Sequence, residues 1–331
     1  MPTNAALGMA INRRTCCVAF VAALSLAVLA AGGQPLAVSS PSAGISAGIK
    51  EDLYDVALLT PERGFAVGDA GVIVASEDGG RSWRRAPSGV NDPVFHLAFV
   101  DEQSGWASGR TGLVLHTADG GKRWQRQPTP TDKHLFAIDF LDEHHGAAVG
   151  DWGVILTTDD GGGSWIDHSL SEDLVLYGVK IVGAGELWVV GEAGALFHSV
   201  DAGSSCTRLE GTGDKSLFAV DFDGPRHGVA VGLEGDILLT TDGGASWKKA
   251  SSPAGQALYA VHLRGAEAWA VGDAGTVLRS SDGGASWTAI AVSQDVKLSW
   301  LHGVSFAGGR AAVVGAGGLV LSLEAGGEAH S

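Results

Sequence analysis

Cysteine is nearly absent from this 331-residue chain, and two of its three copies, Cys16 and Cys17, fall close to the start. Only Cys206 remains beyond them, which excludes a disulfide framework in the rest of the protein. Basic residues are also scarce, with 22 Lys and Arg against 37 Asp and Glu and a formal net charge of −15. Such a surface repels phosphate backbones and anionic headgroups, so nucleic acid is excluded as a partner. Beyond residue 33 there is no long apolar stretch with a 3.6-residue period, and 50 glycines punctuate the chain. Both absences argue against a helical fold.

The first 33 residues stand apart. Arg13 and Arg14 precede a largely apolar stretch over residues 16–31, which ends in small residues. This is the pattern of a secretory signal, with cleavage expected after a residue between 30 and 33. The stretch is short for a membrane span, and no Cys stands where a lipoprotein would need one. Loss of the signal removes two arginines and no acid, taking the formal charge from −15 to −17.

What is present is a repeat. The phrase Ser76-Glu77-Asp78-Gly79-Gly80-Arg81-Ser82-Trp83 recurs with its last residue at Trp124, Trp165, Cys206, Trp247 and Trp287. A Gly stands ten residues before each Asp of the phrase, and an aromatic recurs further upstream at Tyr54, Phe95, Phe136, Tyr177, Phe218 and Tyr259. A degraded seventh copy runs from Leu301-His302-Gly303-Val304 to Leu321. A period near 41 with four short strand signals per unit is the arithmetic of a β-propeller blade. The expected fold is therefore all-β, a seven-bladed β-propeller of Asp-box (BNR) hairpins.

The seventh unit has no fourth strand of its own, so a segment upstream of blade 1 is expected to close the ring. The implied organisation is a signal over residues 1–33, a linker and closing strand over 34–50, the propeller over 51–323 and a disordered tail over 324–331.

The repeated phrase has a structural chemistry. Its Ser or Thr and its Asp suit the hydrogen bonding of a tight turn, and Gly-Gly supplies positive φ. The Trp then returns to fill the gap to the next blade. Asp78, Trp83, Asp119, Trp124, Asp160, Trp165, Asp201, Asp242, Trp247, Asp282 and Trp287 are accordingly structural, and Cys206 is expected to fill a Trp slot as a small hydrophobe.

Subtracting the repeat leaves few candidates for function. Trp106, Trp188 and Trp269 share a second repeated slot, which leaves Trp152 and Trp300. Trp152 lies in the turn Gly150-Asp151-Trp152-Gly153, where an exposed aromatic suits a partner. The same turns carry Asp69, Arg110, Asp151, Glu192, Glu234 and Asp273, expected to gather around the central channel. Asp55 and His96 share a slot otherwise held by small residues and are expected to be neighbours across blades 1 and 2. His144 and His145, adjacent on a loop, lack ligand geometry, so no metal is expected.

The signal, the seven units of about 41 residues, the Val-Gly-Asp-x-Gly turn and the Asp-Gly-Gly-x-Ser-Trp hairpin together resemble the photosystem II stability and assembly factors of cyanobacteria and chloroplasts, and their relatives in non-photosynthetic bacteria. The resemblance spans roughly residues 50–323. It implies a protein without catalytic residues or cofactor, on the lumenal or periplasmic side, that binds an immature subunit of a membrane complex. A monomer with no small-molecule substrate is expected. Photosynthetic members are known for an arginine-rich patch, and this acidic chain departs from that pattern. Its candidates are Arg81, Arg84, Arg85, Arg110, Lys122, Arg123 and Arg126, in blades 1 and 2. An accessory role for a transporter or secretion system is the alternative. A glycosidase is the competing class: the sialidase Arg-Ile-Pro motif is absent, and xyloglucan hydrolases set a carboxylate pair between two propellers where this chain has one; Asp151 and Glu192 are the carboxylates such chemistry would recruit, and nothing in their sequence surroundings marks them for it.

Overall fold

Short runs of Val, Ile, Leu and Ala bounded by glycines build the strands, since each unit alternates four extended segments with turns that only Gly, Asn or Asp enter easily. In the computed structural model, which describes Ser42–Ala43 and residues 48–324, the chain forms seven antiparallel four-stranded sheets. Blade 1 comprises Leu53–Leu58, Gly64–Gly68, Ile73–Ser76 and Arg84–Ala86 from channel to rim. Blades 2 to 6 repeat this order, with innermost strands Val94–Phe99, Leu135–Phe140, Leu176–Gly183, Leu217–Asp223 and Leu258–Arg264. Residues 71 and 72 close the turn that precedes Ile73–Ser76.

Blade 7 draws on both ends of the chain. Its order is Ser42–Ala43, Val320–Glu324, Arg310–Gly315 and Leu301–Ala307. Ser42 lies opposite Ser322 and Ala43 opposite Leu321. The remainder of the expected closing strand, residues 34–41 and 44–47, lies outside the described residues, as do the expected signal over residues 1–33 and residues 325–331 of the expected tail, whereas Glu324, expected to begin that tail, ends a strand opposite Arg310. No helix among the described residues is long and apolar enough to cross a membrane.

The core lies between blades. The Asp-box Trp fills the gap to the preceding blade, not the following one. Trp83 packs with Ala312 and Val314 of blade 7, Trp124 meets Phe65 of blade 1 and Trp247 meets Trp188 of blade 4. The right-handed twist of each sheet swings its outer hairpin back over its neighbour, a direction the sequence pattern does not encode. Cys206 takes the Trp place in blade 4, half-buried against the cluster that holds Ile155, and burial pushes its thiol up to about 11.

In blade 5 the box closes through Thr240 Oγ1, which donates to Asp242 Oδ1 at 2.8 Å and accepts from Gly244 N. Ser246 donates its backbone N–H to Asp242 Oδ1 at 2.9 Å and its hydroxyl to Oδ2 at 2.6 Å. The hydroxyl of Ser246 pulls the Asp242 carboxyl down to about 2, and that of Ser286 does the same to Asp282. A carboxyl depressed on folding stabilises above its unfolded value near 4, and the contribution fades as pH falls through the folded value. The melting temperature is expected to drop between pH 4 and pH 2, and to drop less in the double variant Asp242→Asn with Asp282→Asn. An identical acid profile in wild type and variant would remove the boxes as the cause.

Candidate functional site at the channel mouth

Every innermost strand carries a β-bulge at the same place. The register slips between Leu53 and Asp55 in blade 1, Val94 and His96 in blade 2, and at the equivalent residues of the other five. The extra residue is the repeated aromatic, and a bulge re-aims the side chain it carries. Tyr54, Phe95, Phe136, Tyr177, Phe218 and Tyr259 thus turn toward one another, and His302 takes the seventh place.

Their rings form a closed collar. Centroids are separated by 5.7, 5.5, 6.1, 5.1 and 5.3 Å from Tyr54 round to Tyr259. His302 completes it at 5.4 Å from Tyr259 and 5.7 Å from Tyr54. All seven are half-buried. His302 Nδ1 lies 2.9 Å from the Tyr54 carbonyl oxygen and donates to it, and burial holds its pKa below the usual range, so the ring is neutral at pH 7. Trp300 stacks on Tyr54 with centroids 6.1 Å apart, which gives this residue a place at the mouth.

The turns that follow the second strands surround the collar. In each, the third residue is left-handed: Ala70, Thr111, Trp152, Ala193, Glu234 and Ala274 have φ between 51° and 60°, and Gly317 has 64°. The residue before it sits nearer the channel, at Asp69, Arg110, Asp151, Glu192, Leu233, Asp273 and Ala316. Glu234 was expected beside the channel, but Leu233 takes that position and Glu234 the outer one, because the turn of blade 5 places its acid one residue later. Glu234 pairs there with Lys215 Nζ at 2.5 Å. Burial, and to a smaller degree the charge of Glu192, raises the Asp151 carboxyl above its usual range against the pull of His134.

Trp152 is exposed at 57% with φ of 60°. A left-handed conformation costs an L-residue about 1–2 kcal/mol. Lys133 Nζ stands over its ring at 5.7 Å from the centroid. Leu298, 85% exposed, precedes Trp300 on the loop bound to the blade 6 turn through Gly275 N and the Ser299 carbonyl at 2.7 Å. Apolar side chains are thus displayed on the same face as the collar.

The remaining basic candidates do not join this site. Arg84 and Arg85 are successive residues on the outermost strand of blade 1, so they point to opposite faces. They pair with Glu77 at 3.0 Å and Glu51 at 2.7 Å. Arg123 replaces the box serine of blade 2, and both its backbone N–H and its Nε bind Asp119, at 2.9 and 3.0 Å. Arg126 is exposed on the outermost strand Gln125–Gln127. Of the basic candidates only Arg110 lies at the mouth, in the ring of turns that also carries Asp151 and Trp152. Asp55 and His96 are neighbours, with His96 Nε2 3.7 Å from Asp55 Oδ2, which also accepts from Leu97 N at 2.8 Å.

Below the collar lies a charged band that sequence reading passed over. Three residues after the repeated aromatic stand Ala57, Ala98, Asp139, Lys180, Asp221, His262 and Ser305. Lys180 Nζ lies between Asp139 Oδ1 at 3.6 Å and Asp221 Oδ1 at 3.4 Å, and Asp139 above all keeps its pKa raised. Each carboxylate also accepts a backbone N–H of the next blade, from Ile181 at 2.7 Å and Leu263 at 2.8 Å. Burial depresses His262 to about 4. The signal for this band was alignment of that one slot across the seven units.

Ring, bulged collar and displayed turns define a seven-bladed β-propeller with an aromatic mouth at one end of its channel. Within that class the chain belongs to the family described as photosynthesis system II assembly factor YCF48, whose model matches residues 35–129, 124–214 and 212–299. A solved structure of YCF48 bound to D1 peptide is 21% identical, covers 89% of this chain and 99% of its own, and has a TM-score of 0.69. YCF48 from Cyanidioschyzon merolae is 20% identical over 84% of this chain and 97% of its own, with a TM-score of 0.66. The GH74 xyloglucanase from Xanthomonas campestris gives a TM-score of 0.70 at 16% identity, over 90% of this chain but 54% of its own. At these identities the likeness is one of fold. No curated protein matches the sequence.

Proposed function

We propose that this chain is an exported, non-catalytic propeller that holds an extended segment of a protein partner across its channel mouth, the partner being a membrane-complex subunit awaiting assembly. The observation that carries this reading is Trp152: a large aromatic kept exposed, in a strained turn, beside Lys133. Such a residue adds nothing to the core, and exposed aromatics with a neighbouring cation are typical anchors of protein interfaces. Membership of the YCF48 family supports it, as does the likeness to a propeller bound to a D1 peptide. The acidic balance supports a second reading, in which the same site serves a transporter or secretion complex.

The test is binding to peptides from the lumen-facing or periplasm-facing segments of membrane proteins of the same organism. Trp152→Ala is expected to weaken the bound segment tenfold or more, which corresponds to about 1.4 kcal/mol. Arg84→Glu, on the outermost strand of blade 1 and paired with Glu77 of the Asp-box hairpin, is expected to leave it unchanged. Equal affinity of wild type and Trp152→Ala sinks the docking site. Hydrolysis of aryl glycosides above background, lost in Asp151→Ala, would overturn the non-catalytic reading.

A further inference from the structure

The collar is more than a lining. Seven centroids spaced at 5.1 to 6.1 Å lie on a circle of radius about 6 Å. Once the rings' own thickness is taken off, the axis has room for the methylene stem of one side chain and none for a helix about 10 Å across. Aromatic faces carry negative potential, and the surroundings add to it. Burial first, then the charges of Asp69 and Asp52, push the Tyr54 hydroxyl up to about 12, and burial with Asp273 raises that of Tyr259. The Tyr177 hydroxyl lies 3.5 Å from Glu192 Oε1. The rim's cations are few: Arg110 of blade 2, Lys133 ahead of blade 3, Lys215 ahead of blade 5, already paired with Glu234, and Lys297 beside Leu298. Lys180, deeper in the channel, is already held by two carboxylates.

We propose that the collar is a receptor for a single cationic side chain, a lysine or arginine, carried by the bound segment and inserted along the channel axis. This rests on the mouth being a peptide-binding surface and names the residue type it selects. The ammonium or guanidinium exchanges water for aromatic faces, the neutral imidazole of His302 and the field of the acidic rim, while the stem packs against the rings.

Blocked tripeptides test it: acetyl-Gly-Lys-Gly-amide against the same peptide with norleucine, titrated into the purified chain and followed by NMR shifts of the tyrosine rings. The lysine peptide is expected to bind at least tenfold more tightly, and to weaken as salt rises from about 0.05 to about 0.5 M. Phe218→Leu, which keeps an apolar side chain of similar bulk, is expected to weaken it at least fivefold, and Asp273→Asn, on the exposed rim, by a smaller factor. Norleucine binding as well as lysine, or no lysine binding up to about 50 mM, overturns the proposal. Arg84→Ala, on the outermost strand of blade 1, is expected to leave the tripeptide unaffected. If lysine enters the collar while no membrane-protein segment binds, the partner reading falls and the collar stands; a bound segment indifferent to Phe218→Leu and to loss of its basic residues sinks the collar alone.

Discussion

Replacing Lys180 with methionine destabilises the folded ring by about 2–3 kcal/mol at pH 7. The methionine keeps the stem but leaves Asp139 and Asp221 facing each other across the channel without the cation between them. Removing one partner of a fully buried pair costs about 3–5 kcal/mol, and the 30% exposure of the Lys180 side chain to channel water moderates that figure. Both carboxylates also receive backbone N–H groups from the next blade, so their repulsion acts on the blade boundaries themselves. The sign of the pH dependence follows from Asp139. Burial raises its pKa above the unfolded value, so it stabilises most when protonated and the benefit is lost as pH rises through the folded pKa. Without Lys180 the carboxyl rises further, and the deficit of the variant shrinks as pH falls toward 4. Urea unfolding at pH 7 and pH 4.5 measures this; a deficit equal at both pH values would show that packing rather than charge is at stake.

Gly150→Ala is expected to cost about 3 kcal/mol, by overpacking against backbone. The φ of Gly150 is −172°, extended backbone open to any residue, so conformation is not the issue. Space is: a Cβ there falls onto the carbonyl oxygen of His134 and within 3.0 Å of Leu135 Cα. That carbonyl cannot turn aside, because it accepts from Asp151 N at 3.0 Å to pin the turn against the entering strand. The control is Gly183→Ala, where nothing lies within 4 Å of the added carbon and the change stays within about 0.5 kcal/mol. Thermal and urea denaturation of the two variants decide it, and equal stability of both would refute the steric account.

That glycine illustrates what the sequence reveals and what it withholds. Its recurrence ten residues before each Asp is plain in the chain, and with the 41-residue period it was enough to count blades and place strands. The reason for it lies in a carbonyl that arrives from the previous connection, a tertiary contact with no local signature. The Asp-box was legible down to its hydrogen bonds because all its partners lie within a few residues. Contacts between blades were not: the sheet twist sends Trp83 and its equivalents to the preceding blade, and the bulge that lifts Tyr54 and His302 into one collar is set by ladder register, not composition. The Asp139, Lys180, Asp221 and His262 band was hidden for the same reason. Its members are 41 residues apart and meet only when the ring is formed. Arg84, Arg85 and Arg123 lie close together in the chain, yet each is matched to its own nearby carboxylate in three dimensions.

The left-handed position in the turns around the mouth has a further consequence. It recurs in all seven blades, its side chain projects outward, and no core cluster depends on what stands there. Ala70, Thr111, Trp152, Ala193, Glu234, Ala274 and Gly317 already span small, hydroxylated, aromatic and acidic chemistries on one unchanging frame. The ring is thereby specified apart from what its rim displays: seven equivalent positions encircle one channel, and the side chains they carry can change without touching the contacts between blades.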